Sequence, residues 1–211
     1  MNTVIRARAA RVVAVLALLA LGAALQPVDA QEKTANTRPP RSEADVNFMS
    51  GMIAHHAQAV IMGGWAASHG ARDDVRILCE RIVVGQSDEI ALMQYWLREH
   101  GEDVPDGKST RMRMKMNGMV HEMLMPGMMS DEEMAALDKA RGSEFDRLFL
   151  EGMIRHHGGA LTMVNDLLSS NNAAQDDLVY RMSSDVWADQ TTEIERMTKM
   201  LSTVPGANRA P

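Results

Sequence analysis

The side chains here that could do metal chemistry are imidazoles and thioethers, and they gather in one stretch that occurs twice. The first copy carries Asp45, Phe48, Gly51, Met52, Ile53, His55, His56, Ala59 and Met62. The second carries Asp146, Phe149, Gly152, Met153, Ile154, His156, His157, Ala160 and Met163, each offset by 101 residues. Four of the seven histidines lie in this doubled pattern. Imidazole suits copper, zinc, iron and nickel, whereas thioether sulfur selects Cu(I) and other soft ions.

Spacings of 3, 4, 3, 4 and 3 from Asp45 to Met62 make a seam along one helix face, and Asp146 to Met163 repeats it. Met52 lies three residues from His55 and could share an ion with it. Met62 is seven residues on, about 10.5 Å of helical rise, and needs a second site. His56 and His157 are turned about 100° from their neighbours and serve another direction. Asp45, about 15 Å along the axis from His55, cannot orient that ring but could meet a histidine on another helix. Met stripes also pack cores; a paired His-His is a poor core filler, and its repetition favours metal binding.

A second ligand-rich region follows: Met112, Met114, Met116, Met119, His121, Met123, Met125, Met128 and Met129. A thioether needs no deprotonation, so it escapes the proton competition that weakens thiolate and imidazole sites. The competing reading is a Met-rich loop or a flexible partner-binding surface. The chain holds 19 Met against only three Phe, two Tyr and three Trp.

Helices must position these groups. Ser42 with Asp45 marks a capped start, and the spacing predicts helix one over 43–68. Helix two is expected over 73–100, with Val75, Leu78, Ile82, Ile90, Met93 and Leu97 on one face. Ser130 to Glu133 reads as a capping box for a short helix to about Arg141. Helices three and four are expected over 143–170 and 175–203. Helix four repeats helix two, with Gln86, Glu89, Ile90, Met93 and Leu97 matching Gln190, Glu193, Ile194, Met197 and Leu201. No segment is expected as strand. The fold class is therefore all-α: two repeated helical hairpins, 43–104 and 143–204, joined by a Met-rich crossover, 105–142, packed as a four-helix bundle with one shared core.

Arg6, Arg8 and Arg11, then the apolar run Val12 to Leu25 and Val28-Asp29-Ala30, read as a signal peptide cut after Ala30. Residues 31–42 would be a flexible tether and 205–211 a tail. The expected location is periplasmic or secreted, with no stable membrane insertion of the mature chain. Removing Arg6, Arg8, Arg11 and Asp29 takes 22 Lys+Arg and 28 Asp+Glu to 19 and 27, a formal charge of −8. That argues against nucleic acid and anionic membrane surfaces as partners. The single Cys79 cannot form an internal disulfide and reads as a small core residue.

The paired G-M-I-x-H-H-x-x-A-x-x-M motifs, the Gln-x-x-Glu-Ile helices and the Met-rich joint resemble the bacterial domain-of-unknown-function 305 family over about Asp45 to Leu201. The resemblance implies an exported, ferritin-like helical bundle, with some members linked to periplasmic copper binding and tolerance. By motif it carries over Met52, His55, His56, Met62, Met153, His156, His157 and Met163 as candidate ligands. In this sequence Ala57-Gln58 follows the first histidine pair but Gly158-Gly159 follows the second, so a polar partner at that point is missing from the second copy.

The leading reading is a periplasmic buffer or carrier of copper, Cu(I) before Cu(II), with silver as an analogue. Its partners would be metal ions, a copper exporter or another copper protein; a homo-oligomer is compatible. The sequence carries no recognisable catalytic constellation. A di-metal oxidase of the ferritin type needs Glu-x-x-His on two helices, and no such spacing occurs. Glu89 and Glu193, at matched places, either face the seam or are ordinary surface charges. The third reading is a Met-rich interaction protein without metal.

Overall fold

The computed structural model describes residues 41–116 and 119–205, with only the backbone of Lys115 and Met116. The expected signal peptide, residues 31–40 of the tether and residues 206–211 of the tail lie outside them. Among the described residues the chain forms five helices and one small sheet. These are α1 (Glu43–Gly64), α2 (Asp73–Glu99), β1 (Met112–Met116), β2 (Met119–Met123), α3 (Asp131–Lys139), α4 (Ser143–Leu168) and α5 (Asp177–Leu201).

Local chemistry sets most ends. Ser42 and Asp45 form a reciprocal capping box on α1, as Ser130 and Glu133 do on α3. Helix α1 stops one turn earlier than the sequence suggests. Its last bonds tighten to Trp65 N–H on Met62 O and Ala66 N–H on Gly63 O. A Cβ at Gly63 would sit 3.0 Å from Val83 Cγ2 and 3.3 Å from Cys79 O, so this glycine lets α2 approach. Helix α4 starts at Ser143, capped by Gly142 at φ 58° without a side-chain cap.

The two hairpins, α1–α2 and α4–α5, pin each other at matched positions. Asp45 Oδ1 accepts from Ala174 N–H in the α4–α5 loop at 2.7 Å. Asp146 Oδ1 accepts from Arg72 N–H in the α1–α2 loop at 3.2 Å. The expectation that Asp45 meets a histidine is therefore corrected: it caps α1 and ties down the opposite loop. Burial raises the Asp146 carboxyl above its ordinary range, against the Arg72 contacts that lower it.

All four long helices contribute to two hydrophobic clusters. One holds Phe48, Met52, Ile53, Ile90, Met93, Trp96, Met163, Val164, Val179 and Val186. The other holds Ala59, Met62, Leu78, Ile82, Phe145, Phe149, Met153, Met129 and Met197. Where the two clusters meet, each of the four helices carries polar residues. His55-His56, Gln86 with Glu89, His156-His157, and Gln190 with Glu193 form a slab across the middle of the bundle. The shared core exists, then, but a polar layer divides it. Cys79 lies in the second cluster, and burial pushes its thiol up to about 12, which keeps it an inert packing residue.

The structure departs most from expectation in the crossover. Residues 112–116 and 119–123 pair as an antiparallel hairpin, where no strand was expected, with Met112 opposite Met123 and Met114 opposite His121. Strand geometry turns the Met-x-Met alternation into a one-faced array, because successive side chains alternate faces. Below the hairpin, Met125 to Met129 crosses the helices and leads into α3.

Candidate metal centre

The doubled His-His stretch brings its four imidazoles to the mid-bundle slab, where all four side chains are buried. The His55 and His156 rings lie against each other, centroids 3.7 Å apart. His56 and His157 point away from this pair, each toward the second helix of its own hairpin. His157 Nε2 is 2.7 Å from Glu193 Oε2 in hydrogen-bond geometry. His56 Nε2 is 2.7 Å from Glu89 Oε2 as a close charge contact off the hydrogen-bond angles. Glu89 and Glu193 are thus layer residues rather than ordinary surface charges. The offset-104 repeat marked them, but only the fold shows what they face.

The partners fix the state of two rings. His55 Nε2 lies 3.1 Å from the Pro126 carbonyl oxygen, and His156 Nε2 lies 3.1 Å from that of His55. A carbonyl only accepts, so each Nε2 carries the proton and each Nδ1 presents a lone pair. Burial, chiefly, and then the neighbouring imidazoles hold both rings well below the ordinary histidine pKa of 6.5, so they stay neutral. In His157 the Glu193 carboxylate accepts from Nε2 in the same way.

All four Nδ1 atoms are buried and have no hydrogen-bond partner among the described residues. Gln86 and Gln190 add further orphaned amide atoms to the slab. An unsatisfied buried polar group costs about 1–3 kcal/mol, so such a concentration calls for a ligand. An imidazole whose other nitrogen is held by a carbonyl or carboxylate is oriented as metal ligands are. Among the described residues, no three His, Cys, Asp or Glu side chains converge on one point. The donor set therefore fits a metal only in low coordination or with sulfur added.

Sulfur sits nearby on one side. Met112, Met114, Met125 and Met163 line a cavity of about 260 Å³ with Phe48, Pro126 and Leu167. Three of these methionines end over Gly51: a Cβ there would sit 3.0 Å from Met125 Cε, 3.2 Å from Met112 Sδ and 3.4 Å from Met163 Cε. At the matched Gly152, a Cβ would instead meet Met129 Sδ at 2.9 Å. The connector is seated by two further residues. Gln58 Nε2 donates to Met129 O at 2.9 Å, and Met129 N–H donates to Gln58 Oε1 at 2.7 Å. A Cβ at Gly159, the position matching Gln58, would overlap the Pro126 carbonyl and lie 2.8 Å from Gly127 N. The departure between the copies is explained: one side clamps the connector and the other makes room for it.

The remaining candidates divide. Met52, Met62 and Met153 are fully buried core residues in contact with other apolar side chains. Met128 and Met129 are also buried, and Met128 Sδ accepts from Met125 N–H at 3.2 Å. Met119, His121 and Met123 are exposed on β2. The side chain of Met116 lies outside the described residues.

The class defined by these features is a duplicated helical-hairpin bundle with a buried imidazole layer and a methionine cleft beside it. The chain belongs to the DUF305 family, a domain of unknown function, whose model matches residues 45–201. It is similar to a DUF305 protein from Streptomyces coelicolor at 26% identity and TM-score 0.63, covering 75% of this chain and 92% of that one. A DUF305 fragment from Deinococcus radiodurans gives 26% identity and TM-score 0.63, covering 78% and 99%. CopM in its Cu(II)-bound form gives 25% identity and TM-score 0.58, covering 74% and 94%. No curated protein matches the chain. Among the described residues no helix is long and apolar enough to cross a membrane.

Proposed function

We propose that this protein binds Cu(I), with Ag(I) as an analogue, as a buffer or carrier in the periplasm. The observation that carries the reading is the cavity lined by Met112, Met114, Met125 and Met163. Four methionines lining one cleft offer neutral, polarisable thioethers, which suit a soft monovalent ion and suit Mg, Ca or Mn poorly. The relative CopM, bound to Cu(II), supports the copper part of the reading, and the Arg-led apolar leader, which reads as an export signal, supports the location. His55 bonds the carbonyl of Pro126, which lines the same cleft, and its Nδ1 is unpaired, so a mixed sulfur–nitrogen set is part of the proposal.

The reading is of binding without turnover. Oxygen- or peroxide-dependent chemistry by the metal-loaded protein would replace it with the oxidase reading, for which the His56–Glu89 and His157–Glu193 contacts are the starting point. The direct test is calorimetric titration of the exported protein with Cu(I) under reducing conditions. Binding far tighter than millimolar is expected, and the Met163→Leu variant should weaken it. Affinity no better than millimolar in the unaltered protein would end the proposal.

A further inference from the structure

Strand β2 is exposed along its whole length, and the β1–β2 hairpin carries thioether and imidazole ligands on one face. Residues directly opposite across an antiparallel pair share a face, with Cβ atoms about 4.5–5.5 Å apart. Met112 faces Met123, and Met114 faces His121. Alternation puts Met119 on the same face as His121 and Met123. The other face carries Arg113, 3.7 Å from Glu122, a surface contact worth little energetically. Donors and charges are thus sorted onto opposite sides of one thin ribbon.

The donor face also runs from water to the interior. Met119 is 63% exposed and Met123 40%, whereas Met112 is 5% exposed. Met112 and Met114 at its inner edge are two of the four methionines of the cavity. Neighbouring cross-strand pairs are separated by two residues of strand, about 7 Å. A methionine arm has three rotatable bonds, so the two residues of each pair can hold one ion and hand it to the next pair.

We propose that this face is a transfer path for a soft monovalent cation. The ion is taken up at Met119 and His121, passes to the Met114–His121 and Met112–Met123 pairs, and enters the cavity between Met125 and Met163. Each step is a ligand exchange at constant oxidation state: one sulfur or nitrogen contact forms as another breaks, and no thioether gains or loses a proton. The proposal rests on the Cu(I)/Ag(I) reading above, and it adds a route and an order of events to it. It also assigns the exposed methionines a role in kinetics rather than affinity.

The test separates the outer end of the path from the inner end. Cu(I) is presented as its coloured bis-bathocuproine complex, and transfer to the whole protein is followed by stopped flow and at equilibrium. The outer variant is Met119→Leu; this residue is exposed and does not line the cavity, so folding and the final site should be unaffected. Its transfer should slow about tenfold, with the equilibrium affinity unchanged. The inner variant, Met163→Leu, should do the reverse, with affinity falling about tenfold and the initial rate intact. An outer variant that loads at the unaltered rate overturns the path. So does one whose rate and affinity fall together, because the hairpin end would then belong to the final site. If the unaltered protein takes no Cu(I) at all, the parent reading fails and the path with it.

Discussion

The two copies of the doubled stretch agree where they build the bundle and differ where they meet the connector. In both, the aspartate pins the opposite loop, the first histidine joins the central ring pair, and the second turns to a glutamate on the partner helix of its hairpin. After the histidines they diverge. Copy one uses Gln58 to hold Met129 by both backbone groups; copy two uses Gly159 to let Pro126 lie against the helix. The glycines Gly51 and Gly152 diverge likewise, one beneath three methionine ends and the other beneath Met129 alone. The shared features make a symmetric imidazole layer. The unshared ones place a one-sided methionine cleft against it, so function is expected to reside in the asymmetry.

The largest effect should come from removing the room that copy two provides. In Gly159→Ala the new methyl collides with backbone, which cannot swing aside as a side chain could. The connector must lift, loosening Pro126 O from His55 and Met129 from Gln58. A loss of about 3 kcal/mol is expected, or roughly 6–12 °C in Tm for a domain of this size. Gly158→Ala is the control, since nothing lies within 4 Å of its added Cβ. It should gain up to about 1 kcal/mol of helix propensity. Equal thermal shifts in the two variants would break the account of why the copies differ.

Acid should reveal the symmetric part. His55 and His156 bind protons less readily in the folded chain than at the ordinary 6.5, because burial opposes their charge. The unfolded chain therefore takes up more protons, and stability falls as pH drops below about 6.5 toward the folded values. The slope approaches about 1.4 kcal/mol per pH unit for each ring. Asp146 and Asp189, raised chiefly by burial, act in the opposite sense at lower pH. His156→Gln, measured by urea unfolding of metal-free protein, should about halve the slope between pH 6.5 and 5.5. A flat profile in the unaltered protein would mean the ring pair is not held neutral.

How much of this could be read beforehand follows from the range of each interaction. The Ser42–Asp45 and Ser130–Glu133 boxes are local, and the helix starts they announce are where the sequence puts them. The separation of His55 and His156 from His56 and His157 also follows from helical rotation alone. What His157 meets does not, because Glu193 lies 36 residues away on another helix. The hairpin was missed for a different reason. Met-Arg-Met-Lys-Met has a period of two, which is a strand signal, but methionine favours helices, and five residues without β-branched or aromatic side chains carry little strand propensity. Gly159 was legible only as an oddity, since its purpose is the backbone of a segment more than thirty residues earlier in the chain.

The smallest change in stability should accompany the sharpest contrast in binding. Gly51→Ala adds a methyl where three flexible methionine ends meet, and these can give way by a few tenths of an ångström. Helix propensity gains up to about 1 kcal/mol from the same change, so net stability should stay within about 1 kcal/mol of the unaltered protein. The new methyl, however, displaces Met125 Cε, Met112 Sδ and Met163 Cε, the ends of three cleft methionines that meet over this glycine. Cu(I) affinity should fall about tenfold, equivalent to 1.4 kcal/mol. Gly152→Ala crowds only Met129, which lies outside the cleft, and should leave affinity unchanged while costing comparable stability. Competition titration of both variants against one Cu(I) chelator makes the comparison. If Gly152→Ala weakens binding as much as Gly51→Ala, the ion is held by the symmetric layer rather than by the methionines of one side.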